Sequence, residues 1–470
     1  MLLILGTALV ALAAATPVQR RAEAIPFAGQ RIAMPALEAA GYTAYLEAPE
    51  PWADPVPDNE IAAHSVDLTP TSGSTPSQKI MSLLAGFDGS AGFGGFDGGD
   101  DGVVTSGNSP VQNIGNTVYL TPIKVGAQDF HAVLDTGSAD TWLVGNGFKC
   151  VSGRTNAAVS AKNCKFAGEY KRTAGFQEVK GQRFSTKYAD GETLQGIIGR
   201  ETVVLAGITA ENQTIGVVSE ANWRGDGKSS GLIGMAYPSI TRAIQGGSGP
   251  IGTSIPYNPI YFSMHTKGLI KPVFSLTLNR HNEGPGALAL GGLPPQTKDV
   301  KYETDNWAKS PLLAMAIRGI STKPVFTVYV VNAEGFTVDG AGVGGSVKVL
   351  VDSGTTLSYL PQAVADAVGA KFSPPSRKAA NLHLVNCNAK APKFGVKIGG
   401  KSLWIQPRDM IIEQASGAPG GSGGVCMMGI QGAGGAAGGQ FILGGGFMRS
   451  VLSVFDTGAS EMRFANRIRA

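Results

Sequence analysis

One motif, occurring twice, constrains this chain more than any other feature of it. Ala132-Val-Leu-Asp-Thr-Gly-Ser-Ala-Asp-Thr-Trp142 is echoed by Val349-Leu-Val-Asp-Ser-Gly-Thr-Thr-Leu357. Each copy is an apolar strand running into Asp, a hydroxyl residue, Gly and a second hydroxyl residue. A lone Asp-Thr-Gly would read as an ordinary turn, since Asp and Gly dominate turns. Two copies in matching strand contexts point instead to two similar lobes, each delivering one carboxylate to a shared cleft.

The rest of the chain agrees with a β-rich body. Gly makes up 66 of 470 residues and charged residues only 16%, which suits many short strands joined by tight turns. Thr117-Val-Tyr-Leu-Thr-Pro-Ile-Lys-Val125, Phe130–Leu134 and Pro272–Leu278 read as strands, whereas the clearest helical pattern is Pro361–Phe372. The expected class is all-β and bilobal, with a few short helices. Lobes are expected over 106–288 and 289–470.

The first 105 residues have a different character. Residues 2–15 form an apolar run too short to span a bilayer, and Ala13 and Ala15 give an Ala-x-Ala cleavage pattern, so 1–15 reads as a signal peptide. No other stretch is long and apolar enough for a membrane span, so a secreted, extracellular product without a membrane partner is expected. Residues 16–105 carry twelve acidic side chains against Arg20, Arg21, Arg31 and Lys79, and include the low-complexity run Gly86–Asp101. They read as an acidic, partly disordered propeptide and linker that builds little core. The remainder then holds 35 basic and 23 acidic side chains, which reads either as a body that attracts its own acidic segment or as positive charge spread over a solvated surface beside a disordered one. Runs of Lys and Arg interleaved with aromatics are lacking, which argues against a nucleic-acid partner.

Four cysteines, Cys150, Cys164, Cys387 and Cys426, allow three pairings, of which sequence proximity favours Cys150 with Cys164 and Cys387 with Cys426. No Cys-x-x-Cys or His-x-x-x-His pair accompanies them, so neither a metal nor another cofactor is expected. Asn212-Gln-Thr214 is a glycosylation sequon for a secreted chain.

Two carboxylates within hydrogen-bond reach cannot both ionise cheaply, so such a pair shares one proton and titrates in two separated steps. The ionised member can take a proton from water while the protonated member donates to a developing oxyanion. Gly137 and Gly354 would let the backbone approach Asp135 and Asp352, while Ser138 and Thr355 can hydrogen-bond the outer carboxylate oxygens.

In these residues the chain resembles the pepsin family of aspartic proteases, over roughly 113–470. Trp142 stands where the family keeps a Trp, and Lys187-Tyr188-Ala189-Asp190-Gly191 resembles its flap hairpin. Ser230–Pro238 and Phe441–Arg449 resemble the segments after each active-site loop, and Val454-Phe-Asp456 the closing strand. The resemblance implies an aspartic endopeptidase acting on peptide or protein substrates, with Tyr188 over the substrate and Thr136 and Ser353 interlocking the two loops. It also implies an acidic optimum, pepstatin-type inhibition, a monomer, the same two disulfides and hydrophobic preference around the scissile bond. Asp190 gives the flap a fungal character that would accept Lys beside that bond. A catalytically inactive peptide- or inhibitor-binding protein on the same scaffold is the competing class. Three departures stand out: Ala189 and Gly445 replace a usual Gly and Asp, and the prosegment is acidic where the family's is lysine-rich.

Three further matches are set aside on context. Asp456-Thr-Gly-Ala459 lacks the second hydroxyl residue. Gly227-Lys-Ser-Ser-Gly231 and Gly340–Gly345 lead into strands, where a nucleophile elbow or dinucleotide loop needs a helix. His131 shares a strand face with Asp135 but is expected at a solvated or core-edge position.

Overall fold

A computed structural model describes residues 43–46, 53–72, 117–188, 191–245, 253–280, 283–317, 321–379, 382–412, 424–433 and 441–468. Signal peptide, low-complexity run, Lys79, His281, Ala189 and Asp190 lie outside the described residues.

Strands dominate, as the alternating Val, Ile, Thr and Phe segments require, and the only α-helices among the described residues are Ile260–Thr266, Gln362–Lys371 and Gly445–Met448. The fold is bilobal and all-β. The strands foreseen around 117–125, 130–134 and 272–278 form at Thr117–Val125, Gln128–Asp135 and Val273–Thr277, and the one clear helical pattern forms the second helix.

Both halves repeat one small topology. In the first, Gly231–Gly234 lies parallel to Gln128–Asp135 and antiparallel to Thr141–Val151. In the second, Ile442–Leu443 lies parallel to Val347–Val351 and antiparallel to Ser358–Leu360. The strand that ends in each motif Asp is thus flanked by the segment singled out for it in the sequence. Gly234 and Gly444 permit this crossing, because a Cβ on either would stand 2.4 Å or less from loop backbone, well inside contact distance.

The segment before residue 105 departs from expectation. Thr43–Leu46 pairs antiparallel with Ala314–Ile317. Strand His64–Ser72 pairs through its first five residues with Gly286–Leu290 and through its last four with Thr117–Leu120. It therefore joins the sheet of the first lobe to the sheet that continues through Val273–Thr277, Val451–Asp456 and Glu461–Asn466. Leu68 is fully buried, a contribution of about 2 kcal/mol, and Val56, twelve residues earlier, is buried in a separate apolar cluster with Val273, Leu452 and Val454. The expectation that this segment builds little core is corrected for these residues: its Pro, Ser and acidic content conceals a His64-x-Val66-x-Leu68 alternation. The boundary drawn at 288/289 also falls inside strand Gly286–Leu290.

Disulfides join Cys150 to Cys164 and Cys387 to Cys426, each within one half of the chain. Asn212 is exposed, at a positive φ of 53° beside a register shift in the hairpin formed by Thr193–Leu205 and Ile208–Asn222.

Candidate active site

Asp135 ends strand Gln128–Asp135, and Asp352 directly follows strand Val347–Val351. Both are buried, at 5% and 8% exposure. The Gly137 N–H donates to Asp135 Oδ1 at 2.8 Å and the Ser138 hydroxyl to Oδ2. The second copy repeats this: Gly354 N–H reaches Asp352 Oδ1 at 2.9 Å and Thr355 Oγ1 reaches Oδ2 at 2.6 Å. Each carboxylate therefore has one amide and one hydroxyl donor.

Glycine is obligatory in both loops because each backbone lies against the opposite carboxylate. A Cβ on Gly137 would stand 2.7 Å from Asp352 Oδ1, and one on Gly354 would stand 2.4 Å from Asp135 Oδ1. Behind the pair the loops interlock. Thr136 N–H donates to Ser353 Oγ at 3.1 Å, and Ser353 N–H to Thr136 Oγ1 at 2.9 Å. Their hydroxyls in turn donate across, Thr136 to Val351 O at 3.0 Å and Ser353 to Leu134 O at 2.9 Å.

Burial raises the pKa of Asp352 well above the ordinary carboxylate range, and the neighbouring Asp135 raises it further by charge and by a hydrogen bond. The donors Thr355 and Gly354 oppose that rise without cancelling it. Such a pair holds a proton where a solvated carboxyl would have lost it.

Of the residues expected in a flap, Tyr188 and Gly191 are described. Tyr188 N–H donates to Glu192 O at 2.8 Å, and Gly191 N–H, at a φ of 91°, donates to Tyr188 O at 3.0 Å. Trp142 Nε1 donates to the Tyr188 hydroxyl at 2.9 Å. Sequence reasoning missed the neighbours of this pair. Trp223 meets Tyr188 edge-on at 5.7 Å and Trp142 at 5.1 Å, and Phe166 stacks on Trp223 at 6.2 Å. Only an isolated Trp in a polar stretch signalled that wall.

The set-aside motifs stand apart from this chemistry. Asp456 lies at the turn of the last hairpin, its carboxylate taken by the N–H groups of Val56 and Ala459 and by Arg463. Asp226 caps the turn at Ser229, after which strand Gly231–Gly234 begins, and Gly340–Gly345 precedes strand Val347–Val351. His131 is exposed. His383 bridges Ser376 and Asp366 at 2.9 and 2.8 Å, tying helix Gln362–Lys371 to strand Leu382–Asn386.

A buried carboxylate pair with fixed donors and a raised pKa is suited to acid-base chemistry. The family model for eukaryotic aspartyl proteases matches residues 118–467. A probable aspartic-type endopeptidase of Aspergillus fumigatus is 40% identical over 371 residues, covering 77% of this chain and 82% of that protein. Penicillopepsin-1 of Talaromyces stipitatus is 27% identical over 350 residues, 74% of this chain and 78% of that protein. Aspergillopepsin-1 of Aspergillus fumigatus is 27% identical over 356 residues, 74% and 78% respectively. The chain belongs to the eukaryotic aspartyl protease family and is a hydrolase. No helix among the described residues is long and apolar enough to cross a membrane.

Proposed function

We propose that this protein is a secreted aspartic endopeptidase in which Asp135 and Asp352 are the catalytic pair. The observation that carries the reading is the raised pKa of Asp352 beside a second buried carboxylate with matching donors. Asp135 takes a proton from a water held between the carboxyls as that water attacks the peptide carbonyl. Asp352 gives its proton to the carbonyl oxygen, so negative charge does not build up there. Asp135 then gives the proton it took to the leaving nitrogen as the C–N bond breaks, while Asp352 takes one back from a hydroxyl of the tetrahedral intermediate, so the product carbonyl forms and the pair is restored.

Because one shared proton is required, activity is highest in acid and falls as pH rises through the upper ionisation of the pair. The half-buried rings of Phe166, Tyr188 and Trp223, packed on the buried Trp142, support hydrophobic preference around the scissile bond. The protein acts as a monomer, is silenced by the part of its acidic propeptide that lies outside residues 53–72 and is blocked by pepstatin-type inhibitors.

Digestion of an acid-denatured protein tests this. Cleavage is expected below neutrality, abolished by a statine-type inhibitor and lowered at least 1000-fold, on the order of 4 kcal/mol of transition-state stabilisation, by Asp135→Asn or Asp352→Asn. Activity that survives either substitution would overturn the assignment.

A further inference from the structure

Five residues beyond Asp135 the same loop carries a third acid, Asp140, which is 4% exposed. Its Oδ1 accepts the N–H of Arg242 at 2.7 Å and the hydroxyl of Tyr257 at 2.7 Å. Arg242 is itself 3% exposed, and its Nε donates to the carbonyl of Ser185 at 3.2 Å. Ser185 lies in strand Gln177–Lys187, three residues before Tyr188, and Ala243 pairs with Phe184 in the same ladder. Trp142, two residues after Asp140, meanwhile donates to the Tyr188 hydroxyl.

These bonds close a ring. One side runs from Asp140 through Trp142 to the flap tyrosine; the other runs from Asp140 through Arg242 to the strand from which that tyrosine hangs. We propose that Asp140, Arg242 and Tyr257 form a positioning unit that fixes the flap strand relative to the loop carrying Asp135, and so sets how tightly Tyr188 closes on substrate. Tyr257 locks the unit from the far side. Its N–H also donates to Thr241 Oγ1 at 3.1 Å, which holds Thr241 and Arg242 against the loop. A buried carboxylate is suited to this role because charge-assisted bonds are short, strong and directional.

The inference rests on the endopeptidase reading, and its test separates the two. With the full chain in its active form, Tyr257→Phe and Arg242→Met are each expected to raise KM about tenfold with kcat changed less than about twofold, because an anchor of binding geometry is lost and not a transition-state contact. Affinity for a pepstatin-type inhibitor should weaken in parallel. Asp140→Asn, which keeps Oδ1 as an acceptor, is expected to stay within about threefold of the parent KM, whereas Asp140→Ala should match the double variant Asp140→Ala/Tyr257→Phe. If Asp140→Ala does not fold, Tyr257→Phe carries the test alone. Unchanged KM and inhibitor affinity in Tyr257→Phe, or a fall in kcat at constant KM, would overturn the proposal while leaving the endopeptidase reading intact. A parent that cleaves nothing would overturn both.

Discussion

The two loops that carry Asp135 and Asp352 have almost the same residues. Asp135 and Asp352 each receive an amide and a hydroxyl donor, and burial together with the neighbouring carboxyl pushes the pKa of Asp352 up. That displacement is also a statement about stability. In the unfolded chain Asp352 ionises near 3.8, whereas in the fold it keeps its proton to a higher pH. The stability it contributes is therefore fully present below about 3.8 and is lost as pH rises through the folded value. Asp352→Asn, neutral at every pH, escapes that loss. It should raise the unfolding free energy at pH 7 by on the order of 1–3 kcal/mol, seen as a higher thermal midpoint, and give no gain at pH 3.5. Melting curves at the two pH values check this; an equal shift at both would mean that packing, not ionisation, is the cause. The pair was legible in the sequence because it occurs twice in matching strand contexts. Asp140, Arg242 and Tyr257 were not, because their partnership joins positions 102 and 117 residues apart in sequence.

Among the elements, strand His64–Ser72 departs most from its sequence appearance. Composition made residues 16–105 look like a removable, core-poor segment, and only the short alternation at His64, Val66 and Leu68 spoke for a strand. The contacts ahead of it are specific. Ala53 N–H donates to Gly458 O at 3.1 Å, Val56 N–H to Asp456 Oδ2 at 2.9 Å, and Arg463 Nη1 to Val56 O at 2.6 Å. Asp58 binds Arg463 and lies 2.9 Å from Lys309, and those partners hold its carboxyl below the usual range. This accounts for the third Asp-Thr-Gly: Asp456 is a clamp on the incoming segment. Residues 53–72 should accordingly stay with the active protein, either at the start of its main chain or as a bound peptide. Intact mass and N-terminal sequencing of active enzyme under denaturing conditions check this, and a fully active, equally stable product without these residues would refute it. Arg463→Met should loosen the segment and cost about 3–5 kcal/mol, because it leaves the buried Asp456 carboxylate with its amide donors but without its charged partner.

At the scale of the molecule, the two lobes are not independent bodies. Tyr329 donates its hydroxyl to Met235 O at 2.6 Å, Tyr237 N–H donates to Thr327 O at 3.1 Å, and Ser239 Oγ donates to Phe326 O at 2.5 Å. Around these bonds the rings of Tyr237, Tyr329, Phe455 and Phe274 follow one another at 5.2, 4.7 and 4.5 Å. One apolar cluster takes in Leu134 and Ile233 from the first lobe and Val351 and Leu443 from the second. Removing either lobe would expose that cluster and unlock Thr136 from Ser353, so the lobes should unfold together. The disulfides do not produce this coupling, since Cys150–Cys164 and Cys387–Cys426 close loops of 14 and 39 residues within single lobes. By loop entropy they contribute about 3 and 4 kcal/mol. Reduction should therefore lower the midpoint while leaving one calorimetric transition, with van't Hoff and calorimetric enthalpies still equal. Two resolved transitions in the oxidised protein would show that the shared core does not couple the lobes. A split only after reduction would show that an intralobe crosslink had been supporting one of them.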